Sequence, residues 1–299
     1  MIKNLFLVAL ATVTVLYLAV WTLVVRQLRR AGESPGGYTL ERPKPTLFQL
    51  FVGFITNFFD TLGIGSFATT TSLFKFFNLV PDELIPGTLN VGHALPTLVE
   101  AAIYITIVQV DMRTLLLMIA ASVLGAWLGA GMVARWPRRT IQIWMGIVLL
   151  AAAGLMLSKQ LNWMPAGGNS FGVDGLRLGL AVVGNFALGA LMTVGIGLYA
   201  PCMVLVSLLG MNERTAFPIM MGSCAFLMPV GSVRFIRTNR YSMRAALGLA
   251  LGGIPGVLVA AYIVKELSLG KIRWLVIAVV VYTAARMLQS AGRKVGGRQ

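Results

Sequence analysis

Two short glycine-bearing segments are the places where this chain could do chemistry. Thr61-Leu-Gly63-Ile-Gly65 runs straight into Ser66-Phe-Ala-Thr69-Thr70-Thr71. From residue 193, a shift of 132 positions, Thr193-Val-Gly195-Ile-Gly197 runs into Leu198-Tyr199-Ala-Pro201. Glycine lets a helix stop where residues with a Cβ resist positive φ. A helix restarting beyond such a break offers unpaired N–H groups and the positive end of its dipole, which suits an anion. The hydroxyls of Ser66 and Thr69 and the phenol of Tyr199 add neutral donors, and no Arg flanks either break. Dipoles and hydroxyls hold an oxyanion weakly enough to release it. Asp60 immediately precedes the first break, where a carboxylate suits proton coupling or gating and equally suits capping a nearby helix start. Its counterpart at the same shift is Met192, so the two breaks are not chemically equivalent.

The remaining polar groups inside apolar stretches are few. Glu100 lies within Ile85–Val108, and ionisable residues inside a membrane are costly and commonly functional. Thr88, Asn90 and His93 sit between Pro86 and Pro96, a stretch distorted enough to border the same cavity. A lone histidine is more often a satisfied interior residue than a proton carrier, though its ordinary titration range permits the latter. The candidate binding residues are therefore Gly63, Gly65, Ser66, Thr69, Thr88, Asn90, Thr193, Gly195, Gly197 and Tyr199. Asp60, His93 and Glu100 are the candidates for coupling or gating. Asn57 and Asn185 are deep polar residues that orient substrate or satisfy freed backbone, and Lys75 reads as snorkelling to the headgroups. Cys202 and Cys224 read as small buried hydrophobes. Neither a metal site nor an organic cofactor is expected.

The elements that must position these residues are membrane helices. Of 299 residues 57% are hydrophobic and 12% charged, against about 25% charged in a soluble domain. Leu5–Val25, Ile85–Val108, Leu115–Val133, Phe217–Ile236, Ala245–Val264 and Ile272–Leu288 are long and nearly charge-free. Roughly 20 such residues cross about 30 Å of hydrocarbon. The net charge of +15 does not indicate nucleic acid. The basic residues cluster in short loops (Arg26, Arg29, Arg30, Arg42, Lys44; Arg135, Arg138, Arg139; Arg234, Arg237, Arg240, Arg244) and in the tail, as the positive-inside rule requires. Such clusters also suit anionic lipid headgroups. The first apolar run is too long for a cleavable signal and is read as a retained helix. The expected partners are a small anionic substrate and membrane lipids, and a homo-oligomer is compatible with the sequence.

The shared break motif is one part of a duplication. Phe54 matches Phe186 and Pro86 matches Pro218 at the same shift; with one residue deleted, Met112-Arg113 matches Met243-Arg244. The expected fold is an all-α polytopic membrane protein: an extra N-terminal transmembrane helix and two homologous halves, each with one glycine-interrupted helix and three further spans. The expected divisions are an N-terminal helix at 1–25, a basic cytoplasmic linker at 26–46, a first repeat at 47–158, a connecting loop at 159–175, a second repeat at 176–289 and a basic tail at 290–299. If each interrupted segment crosses once, the halves are parallel; if it is re-entrant, they are inverted. About 17 of the 25 basic residues fall inside in the inverted arrangement and about 16 in the parallel one. Inversion puts Arg135, Arg138 and Arg139 inside and is preferred.

Gly53-Phe-x4-Phe59-Asp60-Thr-Leu-Gly-x-Gly65, followed by Pro86-Gly87-Thr88, resembles the TauE/SafE sulfite-exporter family, also described as sulfonate-uptake-type permeases. The resemblance covers nearly the whole chain after Pro45; the helix and linker before it look like additions. It implies transport of sulfur-containing anions such as sulfite across a bacterial cytoplasmic membrane; the basic tail places the C-terminus in the cytoplasm. The family's longer glycine run is shortened here to Gly63-Ile-Gly65-Ser66, and in the second half only Thr193-Val-Gly-Ile-Gly197 remains. Two rivals use the same residues: an anion channel, and an intramembrane hydrolase with Ser66 as nucleophile and His93 as base, which requires the two to be hydrogen-bonded.

Overall fold

The computed structural model describes residues 2–32, 44–163, 167–195, 197–262 and 270–292, of which 2–4, 199 and 270–273 are described by backbone alone. Much of the basic linker, including Arg42, and the tail residues Arg293, Lys294 and Arg298 lie outside the described residues. Among those described, the chain is all helical. A first helix α1 (Ile2–Arg30) precedes α2 (Leu47–Thr61), α3 (Ser66–Phe76), α4 (Ile85–Ile107), α5 (Met112–Val133) and α6 (Arg138–Gln160). The same order then recurs as α7 (Gly175–Met192), α8 (Tyr199–Leu208), α9 (Ala216–Arg237), α10 (Met243–Tyr262) and α11 (Gly270–Gly292). A single 3-10 turn precedes α4 (Asp82–Leu84) and another precedes α9 (Glu213–Thr215).

Seven described helices are long and apolar enough to cross a membrane, making this a multi-pass membrane protein. They include α7 and leave out α4, which sequence reading counts as a span. Asn90, His93 and Glu100 dilute its hydropathy, and most of α4 is buried inside the bundle.

Each helix boundary has a local cause. Thr46 and Gln49 form a reciprocal capping box at the start of α2, satisfying donors the first turn leaves free. Asp111 accepts from the Thr114 backbone N–H at 2.8 Å to start α5. The first break closes α2 with a Schellman motif: Ile64 N–H donates to Phe59 O at 2.9 Å and Gly63 N–H to Asp60 O at 2.8 Å. That motif places its C′ residue at positive φ, and Gly63 adopts +87°.

The broken segments double back. Phe48, at the start of α2, packs edge-on against Phe77, just past the end of α3, with ring centroids 4.9 Å apart. In the second half, Gly184 of α7 faces Leu205 of α8, the same antiparallel register 132 positions on. The open end of the first hairpin is tied to the start of α6. Lys75 Nζ donates to both Asp82 oxygens at 2.8 and 2.7 Å, and Gln142 Nε2 donates to Oδ2 at 2.7 Å. Lys75 is thus an ion-pair partner of a buried carboxylate seven residues on, and not a headgroup-seeking side chain. The open end of the second hairpin lies at the other end of α5, where Asp111 N–H donates to Phe171 O at 2.8 Å and Asn212 N–H to Ser170 O at 2.7 Å.

Packing is exchanged between halves. Helix α2 lies on α10 and α7 on α5; α4 lies on α10 and α9 on α5; α3 meets α11 and α8 meets α6, while the pairs α4–α9 and α6–α11 close on themselves. Swapping the halves maps each of the other pairs onto its counterpart and leaves α4–α9 and α6–α11 unchanged. Helix α1 stands outside this scheme and pins the α4–α9 centre. Tyr17 donates its hydroxyl to Val91 O at 2.9 Å, Trp21 Nε1 donates to the Tyr241 hydroxyl at 3.0 Å, and Phe6 packs edge-on against Phe226. Tyr241 lies in the α9–α10 loop, where burial pushes its phenol up to about 12, so it stays protonated as the acceptor for Trp21.

Candidate functional site

The α2–α3 and α7–α8 turns meet inside the bundle. Between them lies a cavity of about 20 Å³. The first half contributes Asp60, Gly65, Ser66, Phe67 and Thr97 to its wall. The second contributes Met192, Gly197, Leu198, Met220, Met221 and Cys224. That volume admits one water-sized group, so the tips are closed upon each other in this conformation.

Asp60 and the start of α3 form the polar centre of the cavity. Ser66 Oγ donates to Asp60 Oδ2 at 2.6 Å, and the Ser66 backbone N–H also serves the carboxylate. The positive end of α3 is therefore occupied by the protein's own carboxylate, an arrangement favoured by the helix dipole. No ion pair neutralises Asp60 among the described residues. Beside it, Thr61 Oγ1 donates to Glu100 Oε1 at 2.8 Å, while Glu100 Oε2, fully buried, has no hydrogen-bond partner among the described residues. Tyr104 donates its hydroxyl to Thr61 O, closing the turn from the other side.

His93 is held differently. Asn57 Nδ2 donates to Gly53 O at 2.7 Å, which leaves Asn57 Oδ1 to accept from His93 Nδ1 at 2.9 Å. Nε2 then accepts from Thr70 Oγ1 at 3.0 Å. With both nitrogens engaged, His93 ties α2, α3 and α4 together in one tautomer and makes no hydrogen bond to Ser66. The contact a Ser66–His93 hydrolase requires is absent.

A sequence model of the TauE/SafE sulfite exporter family matches residues 1–157. The chain belongs to this family. No curated protein and no solved structure matches it. The match begins at the first residue, so it takes in α1, which sequence reading treats as an addition to the core. TauE/SafE is a family of transporters.

The structure divides the candidate residues among separate places. Asp60, Gly65, Ser66 and Gly197 meet at the cavity, with Glu100 adjoining through Thr61. Gly63 forms the turn behind it, and Gly195, at φ +121°, faces Met145 and Leu89. Thr69 returns its hydroxyl to Ser66 O and Gly65 O at 2.9 and 3.0 Å and lines a groove against α11. Thr193 donates to Ala190 O at 2.7 Å. Thr88 donates to Leu84 O and accepts from Ser242 N–H, joining α4 to the α9–α10 loop. Asn90 Nδ2 donates to Pro86 O at 2.8 Å, and its Oδ1 is unpartnered among the described residues. Asn185 joins Met118 O and Ser223 Oγ. Tyr199 begins α8, but its side chain lies outside the described residues. Thr97, Met192, Met220, Met221 and Cys224 are lining residues that sequence reasoning did not select. The repeat offered a signal for Met192, the counterpart of Asp60.

Proposed function

We propose that this protein is a secondary transporter that moves a small sulfur-containing oxyanion, such as sulfite or a sulfonate, across a bacterial cytoplasmic membrane. The observation that carries this reading is the convergence of both helix restarts, at Gly65-Ser66 and Gly197-Leu198, on one buried cavity. Discontinuous helices meeting inside a bundle are a recurrent substrate site in secondary transporters. The Asp60 carboxylate already sits on the donors an oxyanion would need. Substrate therefore replaces an internal anion, and a proton on Asp60 releases Ser66 to receive it. Binding requires the tips to part, since an oxyanion has several heavy atoms and the closed cavity holds one. The chemistry is translocation, with no covalent step.

The hydroxyls separate this site from its surroundings. Ser66→Ala is expected to weaken substrate affinity roughly tenfold, the worth of one hydrogen bond to a charged group. Thr69→Val is expected to leave it unchanged, because Thr69 spends its hydroxyl on backbone carbonyls. Concentration-dependent counterflow of labelled sulfite in proteoliposomes reads both, and the opposite ranking would move the site away from the α3 start.

With α7 turning back into α8 in spite of its length, and α4 crossing although its polar residues lower its hydropathy, each half has three crossings, which supports inverted halves. The first hairpin then opens on the edge carrying Arg135, Arg138, Arg139, Arg240 and Arg244, which the positive-inside rule assigns to the cytoplasm together with the C-terminus. Cysteines placed at Phe77 and Leu208, both exposed, should be labelled by an impermeant maleimide from the cytoplasmic and external sides respectively. Labelling of both from one side would require parallel halves.

A further inference from the structure

The two halves give the cavity unlike walls. At equivalent positions Asp60 faces Met192 and Ser66 faces Leu198, so oxygen chemistry in the first half is replaced by sulfur and carbon in the second. Cys224 adds its thiol to this second wall, pointing at Met192 Sδ at 3.6 Å. Apart from that weak S–H donor, the side chains that line the second wall among the described residues offer an anion no donor. An oxygen pressed against the Met192, Met220, Met221 and Cys224 side chains would surrender hydration for at most a weak thiol hydrogen bond, which is costly in a buried site. A sulfur atom is large, polarisable and weakly hydrated, and thioether and thiol groups meet it with dispersion contacts.

We propose that this cavity selects anions that present a soft sulfur, either a terminal sulfur atom or a sulfur lone pair, over all-oxygen anions of the same shape and charge. The oxygens of the substrate face Ser66, Thr97 and the α3 start. Its sulfur faces Cys224, Met192 and Met221. The inference rests on the transport reading above and adds the residues that set selectivity.

Thiosulfate and sulfate are the discriminating pair, since both are tetrahedral dianions that differ by one sulfur for one oxygen. Full-length protein in proteoliposomes exchanging labelled sulfite should be inhibited by thiosulfate at about a tenfold lower concentration than by sulfate. Cys224→Ser introduces an O–H donor of similar size and should move that ratio several-fold towards sulfate. Met192→Leu keeps the volume and removes the sulfur, so it should weaken thiosulfate a few-fold and leave sulfate in place; it carries the test if Cys224→Ser fails to fold. Equal inhibition in the unmodified protein overturns the proposal. So does an unchanged ratio in the folded variants while sulfite exchange persists, which spares the transport reading. Absence of any sulfite exchange removes both.

Discussion

Asp60→Asn is expected to abolish proton movement accompanying substrate while leaving the anion able to bind. The carboxylate occupies the start of α3 through Ser66 and has no counter-cation among the described residues. An arriving anion therefore meets a like charge in the same cavity. Two unit charges 4 Å apart repel by about 4 kcal/mol at an effective dielectric of 20, so on the proposed transport reading the anion and the ionised carboxylate exclude one another and entry calls for a proton on Asp60. Asparagine has nearly the shape of the protonated acid and stays neutral, which makes that proton unnecessary. Substrate affinity at alkaline pH should rise, by roughly tenfold or more on the scale of that repulsion. Uphill uptake driven by an imposed pH gradient should vanish, while exchange of labelled for unlabelled anion continues. Simultaneous recording of anion flux and a trapped pH dye checks both. A variant that retains gradient-driven accumulation would take Asp60 out of the coupling step and point to Glu100, whose Oε2, one turn beyond Thr97, has no hydrogen-bond partner among the described residues.

The positions of the breaks were legible because glycine is the residue that tolerates the turn. Gly63, Gly65 and Gly195 all adopt positive φ, and the duplicated motif marks where they fall. Asp60 was legible as a charge in a place that tolerates few, together with its alternative role at a helix start, which is the contact seen. Other features needed three dimensions. Thr69 and Ser66 look alike in sequence, but a threonine inside a helix can spend its hydroxyl on a carbonyl of the preceding turn, and Thr69 does so. Lys75 is paired across a turn with Asp82, a contact that exists only because α3 ends beside the 3-10 turn. The sulfur wall was invisible for a different reason. Methionine and cysteine in an apolar run read as core, and only the meeting of α9 with the second break turns Met220, Met221 and Cys224 towards Asp60. The exchanged pairing of α2 with α10 and of α7 with α5 is likewise encoded in glycines whose partners lie far along the chain.

Those glycines carry the largest expected effect on stability. A Cβ at Gly125 of α5 would lie 2.0 Å from Phe186 O and 2.9 Å from Phe186 C on α7. A Cβ at Gly189 of α7 would lie 2.1 Å from Ser122 O on α5. Both obstacles are backbone, which cannot rotate away as a side chain can, and membrane helices rely on small residues for this close approach. Gly125→Val therefore forces α5 from α7. The expected cost exceeds the 1–3 kcal/mol of ordinary overpacking, at roughly 3 kcal/mol or more, and should appear as loss of monodisperse protein in detergent or a steep fall in melting temperature. Gly154 faces open space, so Gly154→Ala is the matched control and should melt normally. The repeat sharpens the test. Gly256 of α10 meets Phe54 O of α2 at 2.3 Å for the same added atom, and Phe54 and Gly256 are the repeat counterparts of Phe186 and Gly125. Gly256→Val should fail as Gly125→Val does, because each contact seats the long limb of one hairpin against the opposite half. If either valine variant is folded and melts within a few degrees of the unmodified protein, the halves cannot be locked by these contacts, and the convergence of the two tips must be maintained by α4 and α9 alone.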